Sequence, residues 1–191
     1  MRSVTGLFDS YDAAKDAVAR LEAAGIPSSD ISIVSHHEES NAGEGAGIGA
    51  GLGAAAGGAG GLLAGLGIMA IPGVGPVVAA GWLASTLAGA VGGAVVGGAA
   101  GGLIGAFTSS GVSEEEAHLY AEGVRRGGAV VTARVPEERY AEADAILQGA
   151  HRVDVVERRK LYAEEGWERF DTEAEPYTAD EIERERRRYG Y

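Results

Sequence analysis

The chain has 191 residues, 46% hydrophobic and 23% charged, with a net charge of −12 and no cysteine. An acidic balance without a contiguous basic face excludes nucleic acid as a partner, and the lack of cysteine excludes disulfides and thiolate metal sites. Of 32 glycines, 24 fall between Gly43 and Gly111, and residues 45–113 hold no Asp, Glu, Lys, Arg or His; that excludes a uniformly built enzyme domain, while the Ala, Val, Leu and Ile content excludes a disordered linker.

Residues 3–8 (SVTGLF) read as a strand. Asp9 or Ser10 then caps a helix over Tyr11–Ala24 that sets Ala14, Val18 and Leu21 on one face, and Gly25 stops it. Ile31–Ser35 is a second strand, which makes a βαβ unit. With Asp9 and Asp12 breaking the N-terminal stretch, no secretory h-region is present and a cytoplasmic start is expected. His36, His37, Glu38 and Glu39 read as an exposed loop and not as a metal site, because neighbours at a strand end point to opposite sides.

The glycine tract carries a four-residue ladder: Gly45, Gly49, Gly53, Gly57, Gly61 and Gly65, then Gly81, Ser85, Gly89, Gly93, Gly97, Gly101 and Gly105. Residues four apart share a helical ridge, and a ridge without Cβ atoms admits a second helix at backbone distance. Between the rows lies the segment Ile71–Pro76, with Pro72, Gly73, Gly75 and Pro76 as the turn of an αα-hairpin. Glycine costs about 1 kcal/mol relative to alanine within a helix, so such arms need tight packing or lipid to persist. The arms are uncharged and long enough to span hydrocarbon, which points to a membrane; their modest share of large apolar residues and the acidic flanks Glu38, Glu39 and Glu114–Glu116 point the other way.

Ser113 with Glu116 forms a capping box for a helix running to Gly127-Gly128. Residues 129–135 (AVVTARV) are a strand, Pro136 opens a helix over 137–149, and 152–157 (RVDVVE) read as the last strand. The expected fold is α+β: a small ferredoxin-like sandwich, β-α-β-[insert]-α-β-α-β, with helices on one face of a four-stranded sheet. Its two halves, 1–40 and 112–157, flank the helical hairpin at 41–111. The remaining segment, 158–191, is an aromatic, charged tail; Thr178 with Glu181 starts a short helix there, and Trp167, Phe170 and Tyr177 are its expected docking residues.

Several of these stretches resemble one known family: Ser3–Phe8 with Asp9-Ser10-Tyr11, the run LEAAGIPSSDISI at 21–33, the zipper with its IPGVGP turn, and GVSEEEAHLYAEGVRRGG at 111–128. Together they resemble the bacterial general-stress or heat-induced-stress-protein-like domain with a glycine-zipper insert, over residues 3–157. The resemblance implies a stress setting and membrane association, and it implies no activity.

Catalytic and cofactor-binding residues are not expected. Gly45-Ala46-Gly47-Ile48-Gly49 loosely fits a dinucleotide loop, but no acidic residue follows it until Glu114 and the tract has no lysine for a phosphate loop. The leading reading is a non-enzymatic, stress-associated homo-oligomer inserted in the cytoplasmic membrane with both termini in the cytoplasm. Two alternatives stand beside it: a water-soluble ring, cage or filament with the hairpins in its core, and an α/β small-molecule sensor.

Overall fold

In the computed structural model, residues 1–36, 67–92 and 100–189 are described. Strand β1 (Arg2–Phe8) sends Val4 and Phe8 to one face and Leu7 to the other. Helix α1 (Tyr11–Ala23) is capped by Ser10, whose hydroxyl accepts the Ala13 amide at 3.2 Å, and buries Ala14, Ala17, Val18 and Leu21. Strand β2 (Ile31–His36) follows.

From here the architecture departs from the helical hairpin. Residues 67–81 form a β-hairpin, β3 (Gly67–Ile71) and β4 (Gly75–Gly81), closed by a turn in which the Val74 amide donates to the Ile71 carbonyl at 3.0 Å. Pro76 lies one residue beyond the last pairing of β4 with β2, His36 with Val77, so its missing N–H costs no bond in that ladder. Helices α2 (Trp82–Gly92) and α3 (Ala100–Ser109) come next, then α4 (Glu114–Arg125), strand β5 (Ala129–Val135), a 3-10 turn at Glu137–Arg139 and α5 (Tyr140–Gly149). The stretch 152–157, expected as a strand, makes a single ladder-like bond, Val153 amide to Leu7 carbonyl at 2.8 Å. Asp154 then accepts the Val156 and Glu157 amides and turns the chain into α6 (Val155–Glu164). The tail ends in α7 (Ala179–Arg188), where Thr178 and Glu181 form a complete capping box.

The result is α+β, with one five-stranded antiparallel sheet in the order β1-β5-β2-β4-β3. The expected βαβ unit is therefore split, since β5 sits between β1 and β2 and runs antiparallel to both. Helices cover both faces, not one. On the first face, α1 and α5 bury Phe8, Ile31, Ile33, Val131 and Leu147. On the second, α2, α3 and α4 bury Leu7, Val34, Val77, Leu83, Leu87, Phe107 and Val124. Among the described residues the glycine tract supplies two of the three helices on the second face and two strands of the sheet.

The joint between β4 and α2 depends on Gly81 and Ser32. Gly81 has φ +86, and a Cβ there would press on the Ile31 carbonyl and the Ser32 backbone. The fully buried Ser32 hydroxyl accepts the Leu83 amide at 3.0 Å, supplying the first turn of α2 with a cap from a neighbouring strand. Gly105 differs: among the described residues nothing lies within 4 Å of where its Cβ would stand. Gly81→Ala should thus lose about 1–3 kcal/mol from the backbone conformation alone, while Gly105→Ala should gain about 0.5–1 kcal/mol from helix propensity. Urea titration of the two variants checks both signs; equal losses would contradict the different roles given to these two members of the same ladder.

Candidate assembly surface

Ladder positions Gly45, Gly49, Gly53, Gly57, Gly61, Gly65, Gly93 and Gly97 lie outside the described residues. Gly81 closes a strand, Ser85 and Gly89 lie in α2, and Gly101 and Gly105 lie in α3. Pro72 and Gly73 form the turn of the β-hairpin, and Gly75 and Pro76 open β4. The turn thus joins two strands where two helices were expected.

Helical geometry orients the ladder positions Ser85 and Gly105. At 3.6 residues per turn, positions two apart face nearly opposite ways. In α2 the core takes Leu83 and Leu87, which turns Ser85 outward; Ser85 is exposed, and its hydroxyl donates to the Trp82 carbonyl at 2.7 Å. In α3 the core takes Leu103 and Phe107, which turns Gly105 outward. Each of the two helices therefore carries a small ladder residue on the side away from the core.

The tail lies against the second face. Phe170 is buried in that core, and Trp167 meets Tyr162 edge to face at 5.7 Å. Tyr177 stacks under the Arg125 guanidinium at 4.8 Å. Arg126 anchors the assembly of charges: it donates to Glu122 at 2.8 Å, Glu165 at 2.6 Å and Glu185 at 2.9 Å, and lies 4.1 Å over the Tyr162 ring. Burial opposes its charge, and the bonds to Glu165 and Glu122 more than compensate, leaving its pKa above the ordinary value. Arg158 grips Asp9 with both terminal nitrogens and lies 3.9 Å over Tyr189, whose phenol is pushed up to about 12 by burial and by Glu185.

The α7 helix is fixed by Ile182, fully buried against Gly127. Gly127 has φ +92, and a Cβ there would overlap the Ile182 side chain, so glycine is needed twice over. Ile182 is the single aliphatic side chain larger than alanine in a helix of charges, and that is the sequence signal by which this anchor could have been found. Glu122 and Arg126, one helical turn apart, were a weaker signal for the ion cluster.

Among the described residues no three His, Asp or Glu side chains stand in metal-binding proximity. His37, Glu38 and Glu39 lie outside them. A cavity of about 500 Å³ between α4 and the tail is lined by His118, Arg125, Trp167 and Arg169. Burial, then the Arg169 charge, lowers the His118 pKa. No described helix is long and apolar enough to cross a membrane.

Residues 3–69 match the family model of the heat induced stress protein YflT domain. The match runs from β1 through α1 and β2 to Met69 in β3, supporting a stress-protein-like domain family and with it a stress-associated role. Comparison with curated proteins and with solved structures gave no match.

Arg126→Ala removes the closer of two guanidinium partners of Glu122, whose side chain is 1% exposed, and leaves it only Arg125 at 3.4 Å. Fully stranding a buried carboxylate costs about 3–5 kcal/mol, so with Arg125 in place the loss should be smaller, about 1–3 kcal/mol. The variant should unfold at lower urea and become open to protease cleavage within 158–189; a wild-type midpoint would show that the cluster does not hold the tail.

Proposed function

We propose that this chain is a non-catalytic, stress-associated protein that self-assembles through its glycine ladder, with the small-residue ridges buried against other copies of the chain and not against lipid. The observation that carries the reading is the orientation of α2 and α3: Leu83, Leu87, Leu103 and Phe107 fill the domain's own core, while the ladder positions Ser85 and Gly105 face away from it. A smooth ridge opposite a packed face is what helix association at backbone distance requires.

Chain length supports protein surroundings over lipid. Both ends of the segment 37–66 belong to one sheet, because β2 and β3 flank β4. Crossing and recrossing a hydrocarbon layer with helices takes roughly 40 residues at about 20 per span, more than that segment holds. Among the described residues, most of the rest of the charge-free tract lies in β3, β4, α2 and α3, and Leu83, Leu87 and Leu103 of the two helices are buried in the core. On this reading the protein works in the cytoplasm, as a scaffold whose size is set by ridge-to-ridge contact.

Gly105→Leu tests it, since the open site leaves the fold room for the side chain while a leucine holds a second ridge off. Light scattering after size exclusion should show an assembly for the wild type and a several-fold smaller particle for the variant, with unchanged circular dichroism. Equal particle masses would count against the ladder. Retention of the wild type in carbonate-washed membranes would replace protein with lipid as the partner of the ridge.

A further inference from the structure

Among the described residues β1 is the end strand of the sheet, and no described strand pairs with its outer edge. From that side Leu7 O accepts the Val153 amide at 2.8 Å and Thr5 O accepts the Arg152 guanidinium at 3.4 Å. In an antiparallel ladder alternate residues turn both N–H and C=O to the same side. Ser3, Thr5 and Leu7 therefore present their backbone groups outward, while Val4, Gly6 and Phe8 serve the ladder to β5. A strand continuing from Val153 would have completed this edge; Asp154 diverts it into α6 after one bond.

The vacated strip is the floor of a groove of about 660 Å³. Tyr120 and Glu116 of α4 stand on one side, Tyr140 and Asp144 of α5 on the other, and Val156 at the end, where it is 77% exposed. Arg152 lies across Gly6 and is paired with Asp144 at 2.7 Å, so its charge is spent within the groove. Glu116 and Asp154 then leave the lining net negative.

We propose that this groove binds an extended segment of a partner protein, added as a sixth strand on β1 and carrying at least one lysine or arginine. Its backbone pairs with Ser3 and Thr5, displacing the Arg152 contact at the Thr5 carbonyl. One alternate side chain meets Tyr120, Tyr140 and Val156, and a basic one meets Glu116 and Asp154. The helices on both sides of the edge suit a single strand; the sheet of a second copy would bring its own helix layers against them. The inference is independent of the ladder reading, because β1 and the ladder helices present separate surfaces.

The test uses the full chain and a fluorescein-labelled peptide, Val-Thr-Lys-Val-Lys-Val, with the lysines replaced by glutamate in a control. Anisotropy should show saturable binding of the lysine peptide, weaker by about fivefold or more for the glutamate peptide. Hydrogen exchange of the segment 2–8 should slow on binding. Val156→Lys, at an exposed rim position, should weaken binding to a similar degree with the fold intact. Thr5→Pro removes an outward amide that the β5 ladder does not use and should abolish binding; if it fails to fold, Val156→Lys decides. Equal binding of the two peptides, or binding without protection of 2–8, overturns the proposal. Protection of 2–8 that rises with protein concentration in the absence of peptide also overturns it, by assigning the edge to a second copy.

Discussion

The sheet is organised around β5, and most of the architecture follows from where that strand lies. Val131 stands opposite Gly6 of β1 on one side and Ile33 of β2 on the other, so the two N-terminal strands are joined only through a segment almost a hundred residues further along. Until β5 arrives, β1 and β2 have no ladder in common. Everything between them and β5 must leave the sheet and return to it, and the tract does so by adding β3 and β4 at the far end and laying α2 and α3 over the second face. The loop-closure cost of such long-range pairing is offset by burial on both faces of the central strands.

Glycine serves separate ends within one compositionally uniform stretch. At Gly81 it allows a backbone conformation that a side chain would strain; at Gly105 it leaves space open on an outward helix face. The four-residue spacing unites these positions in sequence, and the structure divides them between strand and helix. A ladder in sequence is therefore a ridge only where the chain is helical, as it is at Ser85–Gly89 and Gly101–Gly105.

Elements with contrast between polar and apolar positions were legible beforehand. The Ser10 cap, the Ala14-Val18-Leu21 face, the strand at 129–135 and the Thr178–Glu181 box all follow from local pattern. The β-hairpin at 67–81 was not legible, because Val77-Val78-Ala79-Ala80 is apolar throughout, so the half-buried side of β4 at Pro76 and Val78 carries no polar residue to mark an alternation. The strand expected at 152–157 failed for a different reason: its β-branched residues outvoted Asp154 in a propensity reading, although an aspartate that can accept two amides is a strong helix start. The outward positions of Ser85 in α2 and Gly105 in α3 could be placed only after Leu83, Leu87, Leu103 and Phe107 were seen in the core. Neither partner of the Ile182–Gly127 contact is marked by a spacing that ties it to the other, so that pairing came from the fold alone.

The tail is held differently from the core it covers. Besides the apolar anchors Ile182 and Phe170, its fastening is Arg126 among three carboxylates, Arg158 on Asp9, and the tyrosine rings beneath the guanidinium groups. Charged groups lose hydration free energy as temperature rises, so the penalty for burying them falls, while aliphatic burial per unit area levels off. Heating therefore raises the share of the tail's hold that comes from its ion pairs relative to the share that comes from Ile182 and Phe170.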